Sequence, residues 1–157
     1  MARLPHQRSA GFTLIEVIVT LTIAAVLTVL AAPSFKNLIT SQRLKTASFD
    51  LVTNLTLARS EAIKQNGNVT ITPVSTSNWA DGWTVSGSGG TIRTQAAYSK
   101  ITITGPTTLV YDRNGRTTTG AESSFQLSDS DSGSTVQSRC VKVNLIGQPV
   151  SKLGSCS

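Results

Sequence analysis

The sequence predicts an α+β protein: one long N-terminal α-helix packed on an antiparallel β-sheet domain. Three observations carry this. Positions 12–66 contain no glycine and a single proline, Pro33. Leu44, Ala47, Leu51, Leu55, Ala58 and Ala62 recur at spacings of three and four, the stripe of an amphipathic helix. From Gly67 onward Thr, Ser, Val and Gly dominate, with the alternation of strands. The length, 157 residues, suits one ordinary domain.

The chain opens with MARLPHQRSAG, in which Arg3 and Arg8 are basic, Pro5 blocks a helix and Gly11 closes the stretch. Phe12 to Ala32 then form a 21-residue, mostly Val, Ile, Leu and Ala run. As a helix it spans roughly 30 Å, the hydrocarbon thickness of a bilayer. It is too long for the apolar core of a secretory signal, and no A-x-A cleavage site follows it directly. Glu16 stands inside the run, where a carboxylate costs about 2.5–3.5 kcal/mol at the bilayer centre and less near an interface. Either it stays wet at the headgroups or it meets a positive partner.

The helix is expected from about Phe12 to Asn66, roughly 80 Å, with a bend at Pro33 and a stop at Asn66-Gly67. Asp50, Asn54, Glu61 and Lys64 fall largely off the apolar stripe. Strands are expected at 68–74, 82–86, 100–104, 108–111, 123–127 and 136–145. Loops are expected at 87–90 and 128–134. Trp79 and Trp83 flank an expected turn at Gly82 and cover core, while Asn114-Gly115 is the turn signal of a hairpin with Arg113 and Arg116 at its ends. The sheet needs the helix stripe to complete one core.

Composition excludes several chemistries. The one histidine is His6, which leaves Ser-His and Cys-His nucleophiles and histidine-ligated zinc without a partner. Two cysteines cannot build a four-cysteine site. Asp129-Ser130-Asp131-Ser132-Gly133 resembles the start of a calcium loop, but its glycine is one position early and the closing position is Cys140. Asp112 and Glu122 form no recognisable hydrolytic pair. No catalytic residue, metal site or cofactor is expected.

The string Gly11-Phe12-Thr13-Leu14-Ile15-Glu16 resembles the processing site of type IV pilins and of the pseudopilins of type II secretion. The resemblance implies cleavage between Gly11 and Phe12 by a prepilin peptidase, methylation of the new terminal Phe12, and pairing of Glu16 with the amine of a neighbouring subunit. Such pairing makes two charges tolerable in lipid. Three further stretches, 57–62, 79–83 and 111–116, occur in the order found in the GspH/FimT group of minor pilins and pseudopilins, which this chain resembles over nearly its whole length.

The resemblance implies a type IV pilin-like fold with a leader at 1–11, a transmembrane and assembly half at 12–33, and a periplasmic domain at 34–157. It also implies a single pass in the inner membrane, with other pilins or pseudopilins as partners. In that compartment disulfides persist, and Cys140 with Cys156 would close a loop worth roughly 3 kcal/mol. A free catalytic thiol is the alternative, with no base nearby.

Beyond Pro33 there are 12 basic and 7 acidic side chains, a net +5 that favours polyanions. In the FimT type of this group, DNA uptake uses a Gly-Arg-x-Arg stretch. Here the matching region is Gly147-Gln148-Pro149-Val150-Ser151-Lys152, with Gln148 and Val150 in place of the arginines. Arg139, Lys142 and Lys152 are the remaining candidates for weak, sequence-independent binding of double-stranded DNA, with Arg113 and Arg116 secondary.

Overall fold

The computed structural model describes residues 11–75 and 78–156, without the side chains of residues 30–33. Helix α1 runs Leu14–Gln65. Among the described residues eight strands follow: β1 (Val69–Ser75), β2 (Asn78–Gly87), β3 (Gly90–Gln95), β4 (Ile101–Thr104), β5 (Leu109–Tyr111), β6 (Ser123–Asp129), β7 (Arg139–Val143) and β8 (Pro149–Leu153). They form two antiparallel four-stranded sheets, ordered β3-β2-β1-β5 and β4-β6-β7-β8. The chain divides into two compact units, Met1–Lys36 and Asn37–Ser157. The leader expected at 1–11, apart from Gly11, and the bend expected at Pro33 lie outside the described residues.

In the second unit the sequence stripe becomes the core. Leu44, Ala47, Leu51, Leu55, Ala58 and Ala62 are all fully buried, in one cluster with Val69, Ile71, Trp83 and Val85 of one sheet and Phe125, Leu127, Val141 and Val143 of the other. Truncating a leucine at such a site costs about 2–5 kcal/mol, so the helix face, packed on both sheets, contributes strongly to holding them together. Asn54 departs from expectation: it is buried, its Nδ2 donating to the Asp50 carbonyl (2.8 Å) and to Gln95 Oε1 on β3 (3.5 Å). A buried amide is tolerated when its donors are satisfied. The helix stops where expected, but the left-handed residue is Asn66 (φ 49°), and Gly67 N–H closes the end on the Ala62 carbonyl at 3.1 Å.

Two strands were not expected. β3 is an exposed edge with no apolar alternation, and it exists because the two-residue turn Ser88-Gly89 folds it onto β2, with Gly90 at φ 106°. β8 begins with proline and, among the described residues, is paired only with β7. The long strand expected at 136–145 is cut to Arg139–Val143, because Asn144–Gln148 make the turn into β8. The turn expected at Gly82 does not end the strand; β2 continues through it with an irregularity, residues 79–82 facing Val74 alone between the pairs Trp83–Pro73 and Asn78–Ser75. Gly82 (φ 97°) instead lies opposite the register shift between Pro73 and Ser75, and both Trp79 and Trp83 turn inward around it.

Polar ties lock this arrangement. Asn78 Oδ1 on β2 accepts from the N–H groups of Ala80 (3.0 Å) and of Ile103 on β4 (3.1 Å), bridging the two sheets. Trp79 meets Phe125 edge-on at 4.8 Å and donates from Nε1 to the Pro106 carbonyl at 2.8 Å. Trp83 stacks on Tyr98 at 5.9 Å, and the Tyr98 hydroxyl donates to Asp50 Oδ2 on the helix at 2.6 Å. Burial first, and then that bond to a carboxylate, raise the Tyr98 pKa.

Candidate functional site

The first unit presents apolar side chains outward. Phe12, Leu14, Ile15, Val17, Ile18, Val19, Leu21 and others through Val29 are exposed, Phe12 at 86%. A contiguous apolar surface of this kind needs lipid or other subunits against it. Neither Leu14–Val29 nor Ser34–Gln65 is by itself long and apolar enough to cross a membrane; taken together they meet that length and composition. The polar side chains inside the run are internally satisfied, as an apolar medium requires. The hydroxyls of Thr20, Thr22 and Thr28 donate to the carbonyls of Val17, Ile18 and Ala24 at 2.8–2.9 Å.

Glu16 sits in a reciprocal helix cap. Its Oε2 accepts from the Thr13 N–H (3.1 Å) and the Thr13 hydroxyl (3.2 Å), and the Glu16 N–H donates to Thr13 Oγ1 (3.3 Å). This is a capping box, and the carboxylate also favours the positive end of the helix dipole. The Thr-x-x-Glu spacing is visible in the sequence and is the signal that sequence reasoning missed. Among the described residues nothing requires Gly11: a Cβ there meets none of them within 4 Å, and its backbone is not left-handed.

A second constellation gathers at the far end of α1. Arg59 Nε donates to the Gly115 carbonyl at 3.0 Å. Gly115 (φ 72°) lies in a turn held by Asp112, whose Oδ1 accepts from the N–H groups of Asn114 and Arg116, both at 2.9 Å. Gly147 (φ 80°) packs so closely on the Gly115 carbonyl and the Tyr111 ring that a Cβ has no room. Three stretches distant in sequence thus meet at one point. Burial raises the Tyr111 pKa, opposed by the charge of Arg59. Glu61, off the apolar stripe as expected, is occupied along the helix. Hydrogen bonds from Gln65 (2.9 Å) and then Lys64 (3.1 Å) lower its pKa.

The basic candidates divide. On β7 and β8, Val141 and Val143 face the helix, so Cys140, Lys142, Val150 and Lys152 lie on the opposite face. Lys142 and Lys152 are diagonal neighbours there. Arg139 lies on the helix side, where its Nε donates to Ser48 Oγ at 3.1 Å. The structure therefore brings Lys142 and Lys152 together and separates Arg139 from them. Arg113 and Arg116 are exposed on the turn that Gly147 touches. Cys140 and Cys156 are joined by a disulfide. The tail between β8 and that bond crosses the outer face, where Cys156 N–H donates to Gln126 Oε1 at 2.6 Å. In the acidic loop, Asp129 and Asp131 accept from the amides of Asp131 (3.2 Å) and Gly133 (3.1 Å). Among the described residues no group of three or more metal-ligating side chains converges.

Two family profiles match the chain: type II transport protein GspH over residues 47–147, and the prokaryotic N-terminal methylation motif over residues 6–32. No curated protein matches significantly. Among solved structures, the type IV minor pilin FimU of Pseudomonas aeruginosa is similar in two crystal forms. They give TM-scores of 0.60 and 0.61 at 22% identity, covering 69% and 73% of this chain and 91% and 90% of FimU. The minor pseudopilin EpsH of the Vibrio cholerae type 2 secretion system is similar at TM-score 0.52 and 12% identity, over 71% of this chain and 95% of EpsH. These likenesses show a pilin-like fold.

Proposed function

We propose, from the premise that the chain belongs to the GspH family, that it is a minor pilin-like structural subunit that helps initiate or cap a type IV pilus. The observation that carries this reading is the exposed apolar face of residues 12–29, whose internal polar groups are satisfied and whose one carboxylate sits at the helix start. A subunit with such a face is completed by lipid before assembly and by neighbouring helices afterwards.

In this reading a prepilin peptidase cuts between Gly11 and Phe12, and Phe12 is methylated. The match to the methylation motif supports it, as does a glycine that the fold itself does not demand. Glu16 then attracts the amine of a neighbour's Phe12. The inner membrane holds residues 12–33 as the anchor, and residues 34–157 form the periplasmic domain.

The family description favours a second reading, a minor pseudopilin of type II secretion. A third, double-stranded DNA capture for transformation, draws support from Lys142 and Lys152 alone, since Arg139 faces the helix. One experiment separates them: delete the gene, restore it in trans, and score surface pili, secreted protein and DNA uptake. Loss of pili with normal secretion is the expected result. Intact pili with failed secretion would replace it with the second reading, and loss of DNA uptake alone with the third.

A further inference from the structure

The hydrogen-bond phase of the β7–β8 pair is set at its ends. Asn144 N–H donates to the Gln148 carbonyl (3.2 Å), and Gly154 N–H donates to the Ser138 carbonyl (2.8 Å). Bonded and non-bonded pairs alternate in an antiparallel ladder, so Val150 and Lys152 turn their amides toward β7. The amides of Ser151 and Leu153 therefore point away, along the edge of the sheet in which β8 is last. Among the described residues no strand pairs with that edge. Pro149 blunts only its beginning.

The side chains of Ser151 and Leu153 lie on the helix side of the sheet, opposite Val141 and Arg139. Beneath them is a groove of about 380 Å³, lined by Lys45, Phe49 and Val52 of α1 and by Arg139 and Ser151 of the sheet. Phe49 is 69% exposed and Leu153 59%, although each is a large apolar side chain. Ser151 Oγ is buried and has no hydrogen-bond partner among the described residues. Two cations line the groove and no carboxylate does.

We propose that the β8 edge and this groove together form a strand-addition site for an extended segment of a partner protein, whose inward-facing residues are apolar and include one carboxylate. The outward amides of Ser151 and Leu153 supply the main-chain ladder. Every second side chain of the segment drops into the groove, against Phe49 and Val52. The carboxylate settles between Lys45 and Arg139, where charge-assisted hydrogen bonds are strongest. The site is independent of the filament role: a chain that fails to support pili still binds its segment.

The test uses the full chain in detergent and two labelled synthetic peptides, alternating valine and threonine, with either aspartate or lysine at one central inward position. The aspartate peptide should bind, and the lysine twin should bind about tenfold or more weakly. Amide exchange should slow at Ser151 and Leu153 and stay unchanged at Lys152. L153P removes an edge donor without touching the β7 ladder and should abolish binding. F49S, at a side chain outside the core, should weaken binding and leaves the proposal testable if L153P misfolds. Equal binding of both peptides, no binding, or unchanged binding by both variants would overturn the proposal. A peptide-blocked dimer of the chain would replace the partner segment with a second copy.

Discussion

Gly147, in the β7–β8 turn, packs against the carbonyl of Gly115, the same oxygen that accepts the hydrogen bond from Arg59. One carbonyl therefore couples the end of α1 to two turns from different sheets. Gly147 is left-handed and has no space for a Cβ, so alanine brings both backbone strain and a clash. G147A should lower stability by about 2–3 kcal/mol. R59M keeps the stem but loses the hydrogen bond, and should lower it by about 1–3 kcal/mol. Thermal unfolding of each variant checks both. If the double variant loses no more than G147A alone, the two share one junction.

Processing and folding should separate cleanly at Gly11. A Cβ at this position meets none of the described residues, so G11V should leave the melting temperature unchanged. The same variant should keep its leader, whereas the wild type should show an intact mass that begins at Phe12 and carries one methyl group. A mature terminus within residues 24–35 would point to an ordinary signal peptidase and refute the processing proposal.

Glu16 has two candidate roles that charge can distinguish. E16Q keeps a capping side chain but no charge, while T13A breaks the cap and keeps the charge. If Glu16 attracts a neighbour's amine, E16Q should be inserted and processed yet enter filaments poorly, and T13A should assemble nearly normally. Immunoblots of sheared filaments from a strain lacking the wild-type chain provide the measurement. The reverse ranking would reduce Glu16 to a helix cap, worth about 1 kcal/mol.

Alkaline pH should weaken the fold through two tyrosines. Burial holds the Tyr111 hydroxyl protonated well above its ordinary range, and burial with the Asp50 hydrogen bond does the same for Tyr98. In the unfolded chain both ionise near pH 10. Above about pH 10 the unfolded state therefore binds fewer protons than the folded one, and stability falls as pH rises. The Tyr111 hydroxyl has no hydrogen-bond partner among the described residues, so Y111F should be as stable as wild type at neutral pH and show a shallower alkaline loss. Denaturant midpoints between about pH 8 and pH 11 would show it.

The helix was readable because its core stripe repeats with the helical period and every member is buried. Most strands of the core were readable for the same kind of reason, as in Val69-Thr70-Ile71, where apolar residues alternate. β3 and β8 escaped because an edge strand that leaves its side chains in water carries no such alternation. Their signals were the turns that fold them back. Parity within β7 divides Arg139 from Lys142, but placing Lys152 beside Lys142 takes the register of β8, an edge strand with no alternation of its own. The Arg59–Gly115–Gly147 junction is a long-range meeting that local spacing does not encode. For Glu16 the Thr-x-x-Glu spacing held the answer in four residues.

The disulfide encloses β8 within a covalent ring that begins on β7 and returns to it. A load that pulls the outermost strand of a sheet away from its neighbour breaks the ladder one rung at a time. Here peeling halts at the ring, and an added strand pulling on β8 transmits its load into β7 and the middle of the sheet. Before oxidation the same ribbon hangs by its ladder alone. The edge gains that covalent anchor only once Cys140 and Cys156 are joined, as oxidising conditions allow.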